Sequence, residues 1–282
     1  MIRPSRPQTT AAVAAHYDEL DPFYRALWGE HVHHGYWATG RETPDKAAEA
    51  LVELVADRLA IAPGQALCDI GCGYGATARM LAERHGVDVT GVTVSQAQAA
   101  QATDRAPLRG AVTIRKQDWL ANGLASGSFD RAYAIESSEH MEDKARFFSE
   151  AFRVVRPGGR LVVCAWLARP APRPWEVRWL LEPICREGRL PGMGEEKDYR
   201  QLAERVGFVT TSSEDLSDRV ARTWWVCACR LAGKLATERS YLRHLLDPRA
   251  SDRVFALTLL RLLTAYRTGS MRYGLFVFDR PA

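Results

Sequence analysis

Three closely spaced glycines follow a short apolar run and form the clearest candidate for a ligand-binding loop. The segment reads Asp69-Ile70-Gly71-Cys72-Gly73-Tyr74-Gly75, and a helical pattern over 76–84 comes directly after it. Glycine lets the backbone approach a ligand closely, and the N-terminus of a helix offers free N–H donors and positive potential. The loop therefore predicts a nucleotide-like ligand, with an acid placed just before the turn.

The spacing of these glycines separates two classes of nucleotide site. A dinucleotide-binding fold has the spacing G-x-G-x-x-G and an acidic residue at the end of its second strand, where it binds the ribose. Here the spacing is G-x-G-x-G, and the second predicted strand ends Thr93-Val94-Ser95-Gln96-Ala97-Gln98, without Asp or Glu. These features argue against a nicotinamide-dependent oxidoreductase, which stays a remote alternative.

The predicted fourth strand ends in side chains that can move a proton or stabilise charge. It reads Ile135-Glu136-Ser137-Ser138-Glu139-His140-Met141. Ligands of open parallel sheets bind beyond the carboxyl ends of the strands, so this segment is expected to face the ligand. Histidine can act as a general base near neutral pH, and a carboxylate can remove a proton or stabilise a cation. Glu139 and His140 are therefore the predicted catalytic residues; for His140, capping of the next helix is the alternative.

An alternation of strands and helices positions these segments. Strands are predicted at 66–70, 87–94, 112–115, 129–135 and 160–166, and the helices between them at 76–84, 95–105 and 144–155. This rhythm predicts a doubly wound α/β fold with a parallel sheet and right-handed crossovers. Beyond Trp166 the rhythm breaks, and a helix at 198–206 and strands at 208–216 and 272–278 remain.

The chain is predicted to have three regions. Residues 1–43 form a lid segment whose first dozen residues fray, residues 44–166 form the ligand-binding core, and residues 167–282 hold the remaining strands with helical cap insertions at about 167–195 and 217–268. The cap insertions contain Trp175, Trp179, Trp224 and Trp225. These tryptophans predict an apolar pocket for an aromatic or prenylated molecule.

Composition narrows the choice of partners. The 282 residues carry a net charge of +4 that is spread along the chain, so no nucleic acid partner is expected. No apolar run is long enough to span a bilayer, and six cysteines without a CxxC pair indicate free thiols in a reducing cytoplasm. His31, His33 and His34 lie in a glycine-containing loop without a second cluster of ligands, so no metal is expected.

These motifs together resemble the class I S-adenosylmethionine-dependent methyltransferases, in particular the tocopherol and sterol C-methyltransferases and the mycolic acid cyclopropane synthases. The likeness rests on the glycine loop, on the Thr-x-Ser segment followed by glutamine, and on Glu-Ser-x-Glu-His-Met-x-Asp-Lys at 136–144, and it extends over almost the whole chain. It implies a Rossmann-like sheet of seven strands with helices on both faces. It also implies S-adenosyl-L-methionine as the methyl donor and S-adenosyl-L-homocysteine as the product.

The same resemblance implies how the donor is held. Asp69 and the loop glycines Gly71, Gly73 and Gly75 would surround its amino acid part, and Thr93 and Gln98 would meet the ribose hydroxyls. Gln117, Asp118 and Trp119 would hold the adenine. Ile135 and Glu136 would lie nearest the methionine moiety, while Tyr17 and His34 of the lid would contact the carboxylate or exclude solvent.

The resulting hypothesis is methyl transfer to a hydrophobic small molecule, a phenolic, quinol or prenylated acceptor, with carbon methylation favoured. In that reaction Glu139 would stabilise a cation or remove a proton. The alternative is oxygen methylation of a phenol or a natural-product hydroxyl, with His140 as the base. A fold retained only as a binding module is a third reading, which the intact Asp69, Gly73 and Asp118 oppose. Oligomeric state, and whether the cap touches a membrane, stay open.

Overall fold

Seven strands form one sheet whose order brings the predicted ligand segments to one edge. The computed structural model describes residues 1–21, 28–103, 106–238 and 255–282. The strands are β1 Ala66–Ile70, β2 Asp88–Thr93, β3 Ala111–Lys116, β4 Phe129–Ile135, β5 Val155–Ala168, β6 Val209–Asp215 and β7 Met271–Asp279. Their order is β3-β2-β1-β4-β5-β7-β6, and β7 runs antiparallel to both of its neighbours. The Rossmann-like sheet expected from the sequence is confirmed.

Helices cover both faces of this sheet and extend beyond its carboxyl edge. They are α1 Thr10–Glu19, α2 Pro44–Leu59, α3 Ala76–His85, α4 Gln96–Thr103, α5 Lys144–Val154, α6 (the continuous run Pro174–Glu176, a π-helical turn Val177–Leu181 and Glu182–Glu187), α7 Glu196–Arg205, α8 Ser217–Val220, α9 Arg222–Thr237 and α10 Phe255–Thr268. Short 3-10 turns follow β3 and β4, at Trp119–Ala121 and Ser138–His140.

Strand β5 shows how the sheet separates two apolar cores. Leu161 and Val163 pack in the cluster that contains Phe147 of α5, whereas Val162 packs in the cluster that contains Leu51 of α2. Successive side chains of a strand point to opposite faces, so one buried strand supplies both cores. A continuous apolar run is therefore required here, and the sequence provides it.

A third apolar cluster joins the cap helices to the sheet. It contains Leu181 of α6, Trp224 of α9 and Leu262 of α10, packed with Ala168 and Met271 at the facing ends of β5 and β7. The cap is thus anchored where the antiparallel pair β5–β7 begins. Residues 239–254 of the predicted cap helices lie outside the described residues. None of the described helices is both long and apolar enough to cross a membrane.

The N-terminus differs from the expectation that its first dozen residues fray. Ile2 forms a backbone bridge with Met193 through two hydrogen bonds of 2.8 Å. Helix α1 begins after Thr9, whose side chain accepts a hydrogen bond from the N–H of Ala12. These contacts with distant residues and with the cap order a segment whose composition alone favours a loop.

The core on the α5 face gives a direct test of the packing. Phe147 is fully buried, and its ring meets that of Phe148 edge to face at 4.9 Å. Phe147→Ala should lower the free energy of unfolding by about 3–5 kcal/mol, because the neighbours cannot fill the space that is left. Urea denaturation measures this value. The control is Leu108→Ala, at a side chain that is 97% exposed, and a loss there as large as at Phe147 would contradict the assignment.

Candidate active site

A cleft opens at the carboxyl ends of β1, β2 and β4, where open α/β sheets bind their ligands. Most of the predicted donor contacts line it: Tyr17, Gly71, Gly73, Thr93, Gln98, Gln117, Asp118, Trp119, Ile135 and Glu136. The sequence did not single out Ser137 or Thr10, which also line the cleft. We call it the donor cleft.

The corner of the donor cleft that is expected to meet the ribose is pre-arranged by hydrogen bonds. The Thr93 hydroxyl donates to Oε1 of Gln98 at 2.8 Å, and both side chains are buried. The next turn is tied to α1, because Asp18 accepts bonds from the Ser95 hydroxyl at 2.5 Å and from the N–H of Ala97 at 3.1 Å. The Thr-x-Ser…Gln segment therefore holds its two polar residues at fixed positions in the wall.

The end of the neighbouring strand β3 offers groups for an adenine ring, and the N–H of Gln117 there donates to the carbonyl of Thr93 at 2.9 Å. Asp118 accepts a bond from the N–H of Leu120 at 2.9 Å and one from the Thr10 hydroxyl at 3.3 Å. Nε2 of Gln117 is buried and has no hydrogen-bond partner among the described residues. A buried donor without a partner is costly in the free protein. A polar ligand in this cleft is the simplest way to satisfy it, so the wall fits S-adenosylmethionine.

The three loop glycines serve different purposes. Gly71 has φ +82°, and a Cβ there would lie 2.3 Å from Cβ of Ser137, so this position needs glycine for packing. Gly73 has φ +51°, and a Cβ there would meet nothing within 4 Å, which leaves the wall open to a ligand. Gly75 is the N-cap of α3 and lies outside the lining of the cleft.

Two further donor assignments also fall outside that lining. Asp69 is buried beneath the loop, where burial raises the pKa of its carboxyl to about 7. Its Oδ2 has no hydrogen-bond partner among the described residues. His34 lies in a neighbouring cavity, where its ring and its backbone N–H bond to Glu136 at 2.8 and 2.7 Å. His34 therefore lines the neighbouring cavity rather than the donor cleft.

That neighbouring cavity adjoins the donor cleft, and we call it the acceptor cavity. Tyr17, Val32, Glu136 and His140 line both spaces and so form their common boundary. Aromatic rings dominate the remaining walls: Trp28, Trp166 and Trp224. Aliphatic side chains of the cap also line it, among them Ile184, Leu190 and Leu262, together with the polar residues His16, Glu187 and Thr258. Such walls suit an apolar molecule.

The cap tryptophans were predicted only in part. Trp224 is buried and lines the acceptor cavity, as expected. Trp175, Trp179 and Trp225 are exposed by 43, 61 and 62%, so the prediction that they form the pocket was wrong. Trp166, which lines the cavity instead, stands in the buried strand β5, and its sequence position gave no sign of that role.

Glu139 presents a fixed, buried carboxylate to the acceptor cavity. The backbone N–H of Trp166 donates to its Oε1 at 2.5 Å, and the Ser138 hydroxyl donates to its Oε2 at 3.2 Å. That hydroxyl also lies 3.0 Å from the hydroxyl of Tyr199. Burial raises the pKa of Glu139 to about 7, and the nearby charge of Glu136 adds to the rise. The group is therefore poised between its acid and base forms near neutral pH.

His140 lies on the boundary between the two cavities. Its Nε2 is 2.9 Å from the Tyr17 hydroxyl, and its Nδ1 is 3.4 Å from the backbone carbonyl of Arg189. Burial lowers the pKa of His140 to about 4, so the ring is neutral at physiological pH. A neutral ring with its proton on Nδ1 lets Nε2 accept a bond from Tyr17. Tyr17 thus connects the lid helix α1 to the end of β4.

The sheet order and the donor cleft are those of a class I S-adenosylmethionine-dependent methyltransferase, and the enzyme is one. The chain belongs to the mycolic acid cyclopropane synthetase family, which it matches over residues 5–258.

Several related proteins align with nearly the whole chain. Tocopherol O-methyltransferase of Arabidopsis thaliana is 28% identical over 95% of this chain and 82% of its own length. The 2-methyl-6-phytyl-1,4-hydroquinone methyltransferase of Synechocystis is 29% identical over 95% of this chain and 87% of its own. The solved cyclopropane synthase MmaA2 from Mycobacterium tuberculosis superposes with a TM-score of 0.84 over 98% of this chain and 99% of its own, at 23% identity.

The loop glycines yield a paired prediction. Gly71→Ala should destabilise the fold and lower the melting temperature strongly, because the added methyl group meets Ser137 and φ is positive. Gly73→Ala should cost only about 1–2 kcal/mol from its left-handed backbone, yet weaken S-adenosylhomocysteine binding roughly tenfold or more. Thermal unfolding and isothermal titration calorimetry measure both. If Gly73→Ala binds S-adenosylhomocysteine as wild type does, this residue does not border the ligand.

Proposed function

We propose that the enzyme methylates a carbon atom of a hydrophobic phenolic, quinol or prenylated acceptor, and that Glu139 is the catalytic carboxylate. One observation supports the proposal most directly. A buried carboxylate, fixed by two hydrogen bonds, lies in the wall of an aromatic cavity that shares a boundary with the donor cleft. A relative named for a phytyl hydroquinone aligns with 95% of this chain and 87% of its own length.

In the proposed reaction the donor supplies the methyl group, and Glu139 and the cavity walls act on the acceptor. S-adenosylmethionine supplies a methyl group that the positive sulfur already activates, so positioning accounts for much of the catalysis. An acceptor carbon at the shared boundary becomes positively charged as it gains the methyl group. The Glu139 carboxylate offsets this charge, and Trp166 and Trp224 line the cavity in which the charge forms. Glu139 then takes the proton from the methylated carbon, which restores a neutral product.

Oxygen methylation with His140 as the base is the competing reaction. Nε2 of His140 already lies within hydrogen-bond distance of the Tyr17 hydroxyl. Burial also lowers the pKa of His140 to about 4, which makes this histidine a weak base. Glu139, with its pKa near 7, is the stronger base at neutral pH. The Arabidopsis thaliana relative is named an O-methyltransferase. The position of the transferred methyl group in the product is therefore the measurement that decides between the two reactions.

We also propose that the enzyme lies in the cytoplasm. Its free thiols support this location, since five of the six cysteines are buried and all are unpaired.

We further propose that the chain divides into a lid over 1–43, a donor-binding core over 44–166 and a cap-bearing part over 167–282. Helix α1 of the lid bonds to Asp118 and His140 of the core, which supports a covering role.

Mutation of the two candidates separates the reactions. With 2-methyl-6-phytyl-1,4-hydroquinone and labelled donor, Glu139→Gln should reduce turnover about 100-fold or more, while the Kd for S-adenosylhomocysteine changes less than about twofold. His140→Ala should reduce turnover roughly tenfold. Mass spectrometry and NMR of the product locate the methyl group. The carbon assignment fails if the label is on oxygen, or if only the histidine change abolishes turnover while donor binding survives.

The acidity of Glu139 sets the pH dependence. Its ionised form is the base, so turnover should rise with pH and level off above the pKa of about 7. One pH unit below that value, roughly a tenth of the enzyme is ionised at this site, and turnover should fall in proportion. A profile of kcat from acid to mildly alkaline pH measures the limb. A limb near the value of an ordinary glutamate would refute the role of burial.

A further inference from the structure

The carboxylate of Glu136 has four hydrogen-bond contacts, with groups from three distant parts of the chain. Its carboxylate accepts the N–H of His34 at 2.7 Å, lies 2.8 Å from Nδ1 of the same histidine, and accepts the indole N–H of Trp166 at 2.9 Å and the hydroxyl of Tyr273 at 2.8 Å. These donors come from the lid segment, from β5 and from β7. A carboxylate has about four acceptor positions, so its capacity is filled by the protein itself.

The backbone of Glu136 is in an unfavourable conformation. Its φ is +54°, in the left-handed region that residues with a side chain seldom adopt. Such a conformation persists where the surroundings over-determine it, and it occurs often at functional sites. Here the four bonds to the carboxylate, together with the bond of 2.9 Å from the Glu136 N–H to the carbonyl of Cys164, hold it.

Glu136 also remains charged in spite of its burial. Burial alone would favour its neutral form, but the neighbouring His34 and the bonds that it makes hold the pKa of Glu136 at about 2. A permanent negative charge therefore lies three residues before Glu139, inside the same wall.

The partners of Glu136 are parts of the acceptor site. His34 and Trp166 both line the acceptor cavity, and their rings meet edge to face with centroids 5.5 Å apart. His34 is packed in the same way against Trp224 at 5.0 Å. Trp166 has a second function, because its backbone N–H bonds to Glu139 while its indole bonds to Glu136. One tryptophan thus connects the two carboxylates.

We propose that Glu136 is a positioning residue: it holds His34 and Trp166 as adjoining walls of the acceptor cavity and, through Trp166, fixes the carboxylate of Glu139. The resemblance of the sequence to known methyltransferases had placed this residue against the donor. The part of the proposal that concerns the acceptor rests on the proposed function. The part that concerns Glu139 can be measured in the free enzyme.

The electrostatic consequence has a definite sign. The charge of Glu136 opposes ionisation of Glu139, whereas Lys144 of α5 favours it. The other titratable groups that interact with Glu139 are Cys164 of β5, Tyr199 of α7, Tyr266 of α10 and Tyr273 of β7, and His140 is its neighbour in the chain. Removal of the Glu136 charge should therefore lower the pKa of Glu139.

The test compares Glu136→Gln with Tyr273→Phe. Both remove hydrogen bonds at the same carboxylate position, but only the first removes the charge. Infrared titration of the free enzyme follows the protonated carboxyl band, which Glu139→Gln identifies by its loss. The midpoint should move to lower pH by roughly half a unit or more in Glu136→Gln and stay in place in Tyr273→Phe. In both variants the Kd for S-adenosylhomocysteine should stay within about twofold of wild type.

Kinetics with 2-methyl-6-phytyl-1,4-hydroquinone complete the test. The acceptor KM should rise roughly tenfold in Glu136→Gln and severalfold in Tyr273→Phe, with a smaller change in kcat. Donor binding weakened tenfold, with the infrared midpoint unmoved, would overturn the proposal and make Glu136 a donor contact. If Glu136→Gln does not fold, Tyr273→Phe decides: an unchanged acceptor KM with weakened donor binding refutes the proposal. If the enzyme does not methylate the hydroquinone, the proposed function is refuted. The infrared and donor-binding results then test the role of Glu136 on their own.

Discussion

Two buried carboxylates stand three residues apart at the end of β4, and the organisation of the site depends on keeping them different. Glu136 receives four hydrogen bonds and stays ionised, whereas Glu139 receives two and has its pKa raised to about 7. Burial is the main cause of the raised pKa of Glu139, and the charge of Glu136 adds to it, so the second carboxylate is a base suited to neutral pH. The N-terminal segment and strands β5 and β7 each contribute to that difference.

Helix α1 connects this pair to the rest of the donor site. Along little more than two turns, Thr10 reaches Asp118, Tyr17 reaches His140 and Asp18 reaches the turn after β2. The end of β3, the turn after β2 and the boundary with the acceptor cavity are thus covered by one short helix. A movement of α1 would open both spaces together, since Tyr17 lines each of them.

The sequence predicted the parts of this site that depend on local chemistry. Glycine at a positive φ and apolar runs of strand length follow from short-range rules, and the sheet and most of the donor cleft agree with them. It did not predict α1, because that helix depends on contacts across more than a hundred residues. It did not predict the placement of Trp166 either, because this residue lies at the far end of a buried strand. Three of four cap tryptophans were misplaced because an aromatic residue in a helix gives no sign of which face is covered.

The position of β7 in the sheet has a consequence for biosynthesis. This strand comes last of the seven along the chain, yet it lies between β5 and β6 and pairs with both. Until Met271–Asp279 has left the ribosome, the two neighbouring strands present open edges, and open edges invite pairing with other chains. The sheet is therefore completed only after synthesis of its final segment, and during translation the unfinished half must be kept apart from other nascent chains.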